Sequence, residues 1–200
     1  MSFCSSLLSF RERSHSHLKL FSLLLGLTFI VECMAALLIK RHISNVPLYN
    51  VFMLVEFWTY GLYYFLIIGI PRMKIAIKWY LWLFPLFWII VVFLVFGFRN
   101  WNSYVVIAGS FFTICFSCAY YYQLFTQSEL VRLSKLPEFW IATALIIFYS
   151  CDLPYMGTLN FLMENYLKTA VQLLTALKVL DIIMYSIFIF AFLCRTIIKK

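Results

Sequence analysis

Apolar residues fall in six long blocks, over residues 18–39, 46–70, 79–98, 104–125, 139–159 and 173–194, separated by short polar breaks. Each block is about 20 residues, the length at which a helix crosses a hydrocarbon core. In lipid only helices and closed barrels satisfy their own backbone. Barrel strands would be about ten residues with strict alternation, which the blocks lack. The pattern predicts an all-α fold, a six-helix transmembrane bundle forming one integral membrane domain after a short tail over residues 1–17. The breaks at 40–45, 71–78, 99–103 and 126–138 are tight, so consecutive helices are expected to be antiparallel neighbours.

Composition agrees. Mean hydropathy is +0.94, 64% of residues are hydrophobic and only 12% are charged, against about 25% charged in a soluble domain. So few charges could not cover a soluble surface. Residues 1–10 carry no basic stretch ahead of their apolar positions, so they do not read as a secretory signal. The first block is expected to serve as the insertion signal.

Net charge is +8, but no loop concentrates it, which argues against direct nucleic-acid binding. Alternating the blocks across a membrane puts Arg11, Arg13, Lys19, Arg72, Lys74, Lys78, Arg132, Lys135, Arg195, Lys199 and Lys200 on one side. The other side holds Lys40, Arg41, Arg99 and Lys168, and Lys178 is intramembrane. Basic loops stay cytoplasmic, so both termini are expected there, in the cell (inner) membrane.

Trp79, Tyr80, Trp82, Trp101, Tyr104, Trp140 and Tyr120–Tyr122 stand at block ends, where aromatic side chains anchor at headgroup depth. Pro71 and Pro137 mark boundaries that lose little from a missing backbone donor. Pro154 lies inside the fifth block, and a kink is expected there. Cys4, Cys33, Cys115, Cys118, Cys151 and Cys194 form no disulfide framework. The Cys115-x-x-Cys118 pair sits mid-block, where packing explains it better than redox chemistry.

The chemistry lies in four carboxylates within apolar blocks: Glu32, Glu56, Asp152 and Asp181. Charge in hydrocarbon is costly and normally turns toward the protein interior. At a rise of about 1.5 Å per residue all four fall at one level, roughly 9–15 Å below the outer boundary. Helical spacing puts Tyr49, Phe52, Glu56, Tyr60 and Tyr63 on one face. It likewise groups Tyr149, Asp152 and Tyr155, and then Lys178, Asp181 and Tyr185. Lys178 and Asp181 have the separation of an intrahelical ion pair, and Lys178 is the one cation at that depth. The candidate ligand, ion or proton pocket is therefore Glu32, Glu56, Asp152, Lys178 and Asp181, with Tyr60, Tyr149 and Tyr185. Interhelical hydrogen bonding alone also accounts for buried acids, at about 0.6–2 kcal/mol each.

No metalloprotease, nucleophile-elbow or phosphate-loop motif occurs, so an enzyme is not expected, and no cofactor or metal is implied. Arg11 and His17 match the loose Arg-x(4–6)-His signature of HEPN-type ribonucleases, a spacing common by chance in a basic tail.

Four segments, "LKLFSLLLGLTFIVECMAALL", "NVPLYNVFMLVEFW", "LPEFWIATALIIFYS" and "LKVLDIIMYSIFIFAFLC", resemble a set of uncharacterised small multi-span membrane proteins common in Bacteroidota. The residues that carry the resemblance are Glu32, then Asn45, Leu48, Tyr49 and Asn50, then Glu56 and Phe57, then Pro137, Phe139 and Trp140. The resemblance implies a six- or seven-helix fold, with one more helix ahead of "FRERS" in that set. It also implies that Glu32 and Glu56 outrank Asp152. Where its last span often carries His and Asn, this chain has Lys178 and Asp181. Small membrane accessory proteins of RNA-targeting CRISPR loci in the same bacteria are similar in size and span count, so a phage-defence role is one expectation.

The leading expectation is a receptor-like or regulatory membrane protein with an outward-facing acidic pocket. A small channel or proton-coupled carrier, as monomer or oligomeric pore, is the alternative. The lipid bilayer, a second copy and a membrane or cytoplasmic protein are the expected partners.

Overall fold

The computed structural model describes residues 16–126 and 133–197. Its helices are α1 (Ser16–Lys40), α2 (Val46–Ile67), α3 (Pro71–Ile89, extended by a π-helical turn over Ile90–Val95), α4 (Ser103–Thr126), α5 (Pro137–Asn165) and α6 (Leu167–Ile197). All six are long and apolar enough to cross a membrane, and no strand occurs among the described residues. The chain is a six-helix membrane bundle. Arg11, Glu12, Cys4, Glu129 and Arg132 lie outside the described residues.

Two boundaries differ from the sequence reading. Residues 71–78 are not a loop but the first turns of α3, with Pro71 in the opening positions. Proline's fixed φ suits a first helical turn. It also forces its predecessor out of the helical region, and Ile70 is extended (φ −68°, ψ 117°). The larger correction is at residues 160–172, expected outside the bilayer but helical. A single residue, Tyr166, separates α5 from α6, with its N–H donated to the Leu162 carbonyl at 2.8 Å. Thr158 and Asn165 return their side chains to the carbonyls of Pro154 and Phe161. At 29 and 31 residues, these helices run about 43 and 46 Å, well beyond a ~30 Å core. Helix α5 passes unbroken through Pro154, as α3 does through Pro85.

Helix α1 ends in a Schellman turn: Ile43 N–H reaches the Leu38 carbonyl and His42 N–H the Ile39 carbonyl. His42 takes the left-handed position usually given to glycine, at φ 57°. Starts of α1 and α5 meet on one face, where His17 Nε2 lies 2.7 Å from Glu138 Oε1. On that N-terminal face Gln123, late in α4, accepts the Gly69 N–H between α2 and α3. The opposite, distal face carries the α1–α2, α3–α4 and α5–α6 connections.

Consecutive helices are not all close neighbours. Helix α2 lies against α1, α3 and α4, while α3 and α4 touch only thinly because α2 stands between them. Two close approaches make this possible. A Cβ on Gly109 would collide with the Phe57 ring, and one on Gly61 would sit 2.7 Å from Tyr80. Helix α5 packs along both α4 and α6, and the small residues Ala142, Ala144 and Ala191, all at most 1% exposed, let backbones approach where lipid supplies no hydrophobic drive.

Some expected interfacial aromatics turn inward. Tyr80 is buried among Phe84, Phe112 and Phe116 and donates to the Phe57 carbonyl at 3.1 Å. Trp79 and Trp82 stay exposed. Cys33, Cys115, Cys118 and Cys151 are unbridged and exposed on the bundle surface.

Candidate functional site

Four helices deliver one carboxylate each to a single cavity of about 200 Å³. Glu32 comes from α1, Glu56 from α2, Asp152 from α5 and Asp181 from α6, and all four line its wall. Measured along the helices, Glu32 lies about 12 Å from the distal end of α1 and Glu56 about 15 Å from that of α2. Asp152 and Asp181 lie about 20 and 21 Å from the ends of α5 and α6. Side chains meeting at one level therefore push the α5–α6 tip roughly 8 Å past the α1–α2 turn.

Neutral hydroxyls orient three of the four acids. Tyr49 donates to both oxygens of Glu32 at 3.1 and 3.2 Å. Tyr60, one turn on, and Tyr149, from α5, both donate to Glu56 Oε1 at 3.0 and 3.2 Å. Ser110 of α4 donates to Asp152 Oδ2 at 3.2 Å. Asp181 accepts no hydrogen bond from the described residues, and no Lys, Arg or His lines the wall. Exposure is graded: Asp152 is 4% exposed, Glu56 and Asp181 are intermediate and Glu32 is exposed at the rim.

Lys178 does not join them. It is exposed on α6 and makes no ion pair with Asp181 among the described residues. Lys178 and Asp181 are spaced to meet, but Asp181 turns into the bundle while Lys178 turns away from it. Tyr185 lines the cavity beside Asp181. Tyr60 sits beneath it, reaching in only through Glu56. Tyr63, on the same predicted stripe, lies farther toward the N-terminal face, 6.2 Å from the His17 ring.

A clamp on the distal face holds the rim. Asn50, fully buried, donates through Nδ2 to the carbonyls of Phe98 and Asn100, each at 2.9 Å. Its own carbonyl accepts the Trp88 indole N–H at 2.7 Å. Asn102 adds a donation to the Asn100 carbonyl at 2.9 Å. The α3–α4 connection is thereby fixed to α2 and α3, and it brings Trp101 to the cavity wall, where its ring meets Tyr49 edge-on at 6.3 Å. Trp101 looks in sequence like a headgroup anchor, and Ser110 gives no sign beyond its place in a run of small residues, Ala108–Gly109–Ser110. The tandem Tyr49–Asn50 is the signal that sequence offers for the rim.

Beneath the acids the bundle is closed. Phe57, Tyr60 and Tyr149 form the floor with ring centroids 5.6–6.3 Å apart. Phe21, fully buried, packs below them against Tyr60, Tyr63 and Phe188. No group of His, Cys, Asp and Glu among the described residues is placed to hold a metal ion. Arg11 of the ribonuclease-like spacing is outside the described residues, and His17 is engaged by Glu138.

Fold and cavity together define a multi-pass, all-helical membrane protein with an acidic chamber in one half of its bundle. No protein-family model, curated protein or solved structure matches the chain.

Proposed function

We propose that this is a receptor-like or regulatory membrane protein that takes a small polar ligand into the four-acid cavity from the distal face. We further propose that the distal face is outward and both termini cytoplasmic. One observation carries the functional reading: acids from four helices line one chamber that ends on an aromatic floor. Buried charge of one sign held without a counter-cation is expensive, and structural glue does not require it. Hydroxyls bond one another without the cost of burying charge, so stability alone does not explain four acids at one point.

The closed floor favours binding over conduction. A single-chain conduit needs polar groups through the N-terminal half, and that half is filled by Phe21, Tyr63, Phe188 and Phe192, each at most 2% exposed. Reconstituted in liposomes, the chain is expected to pass neither protons nor small ions. Flux that disappears in Glu56→Gln would overturn the reading in favour of a carrier or channel. The orientation rests on the uneven Lys and Arg distribution. Ser44→Cys, in the exposed α1–α2 turn, is expected to react with an impermeant maleimide from outside intact cells, and labelling only after lysis would invert the topology.

A further inference from the structure

The cavity wall has an uneven chemistry: carboxylates on α1, α2, α5 and α6, and aromatic faces between them from Tyr49, Trp101 and Phe148. Asp152 is the sharpest feature. It is 4% exposed, and only its Oδ2 is engaged, by Ser110. Oδ1 accepts nothing from the described residues, although Asp152 lines the chamber. A carboxylate this deep, with one oxygen unpartnered and no cation beside it among the described residues, is suited to receive a donor carrying positive charge. Asp181, also lining the chamber, accepts no hydrogen bond from the described residues either.

The charge is spread rather than concentrated. No three acids gather closely enough to ligate one metal ion, and Glu32 and Glu56 are each turned by tyrosines of their own. A single inorganic cation would not find three carboxylates together among the described residues. Separated positive charges joined by a hydrocarbon chain answer two at once and lay apolar surface on the rings, which also attract cations. At about 200 Å³, below the usual range of drug-sized sites, the chamber suits a short molecule. Resting on the reading of the cavity as a ligand site, we propose that its occupant is a short aliphatic diamine, one ammonium on Asp152 and the other on Asp181.

Three matched probes test this: cadaverine, pentylamine and 1,5-pentanediol, which share a five-carbon chain and differ in charge. Binding is measured on the full chain in zwitterionic phosphatidylcholine nanodiscs, where the lipid does not itself collect amines. Cadaverine is expected to bind at least about tenfold more tightly than pentylamine, with pentanediol weakest. Asp181→Asn and Asp152→Asn are each expected to cost on the order of tenfold to a hundredfold in cadaverine affinity. Lys178→Ala, outside the chamber, is expected to leave it within about twofold. The near-isosteric amides keep the shape of the wall, and the rim substitution Glu32→Gln gives a second readout should a deeper variant fail to fold. Pentanediol or pentylamine binding as tightly as cadaverine overturns the diamine while the pocket stands. If none of the three binds, the reading of the cavity as a ligand site falls with it.

Discussion

The two halves of the bundle use the same residue types for opposite ends. Toward the N-terminal face, two tyrosine hydroxyls are absorbed by the fold: Tyr64 shares a hydrogen bond with Ser117, and Tyr121 with Thr143, while the buried Tyr63 hydroxyl finds no partner among the described residues. Ser117 and Thr113 in turn donate to the carbonyls one turn back in α4. None of these hydroxyls carries charge. Toward the distal face Tyr49, Tyr60 and Tyr149 point at carboxylates, which no cation among the described residues neutralises. The first half is packed to be stable. The second holds carboxylates to which the described residues supply hydroxyls but, along the cavity wall, no cation.

Substitutions should separate the halves by sign as well as size. Phe21→Ala removes a fully buried ring from the dry half and is expected to cost about 3–5 kcal/mol, read as unfolding in mixed micelles. Any ligand affinity that survives folding should be nearly unchanged. Asn50→Ala takes the side-chain donor from the Phe98 carbonyl and leaves Asn100's with Asn102 alone, with an expected loss of about 2 kcal/mol. Unlike Phe21→Ala it should also loosen the Trp101 connection, seen as faster proteolysis or hydrogen exchange over residues 96–102. Asp152→Asn, deep in the acidic half, should move stability the other way by about 1 kcal/mol, because it removes a buried charge yet still accepts from Ser110. A loss of stability there would place Asp152 with the structural half. Lys178→Ala is expected to stay within about 0.5 kcal/mol, since the side chain is exposed. A larger effect would restore the ion pair with Asp181.

Glu32, Glu56, Asp152 and Asp181 were legible because charge is rare in apolar blocks and helical rise places it by depth. Direction around the helix axis was less so. Spacing puts Lys178 and Asp181 within reach of each other, but which of them faces inward depends on how α6 is rotated against α5. Tyr60 and Tyr63 share a stripe with Glu56, and only depth in the packed bundle decides that one supports the site and the other does not. The extension of α5 and α6 past residue 159 escaped hydropathy because Asn160, Glu164, Asn165 and Lys168 interrupt the apolar run, while the backbone there is still helical.

Sequence alone determined that the chain crosses the membrane six times as helices, since apolar length and the need to satisfy every backbone group in lipid leave no other solution. It also determined which four acids are out of place there. Tertiary structure decided that α2 stands between α3 and α4, that Trp101 and Ser110 belong to the chamber and Lys178 does not, and that the chamber ends on a floor of rings. Those outcomes depend on helix rotation and on close approaches such as Gly109 against Phe57, set by packing between segments far apart in the chain.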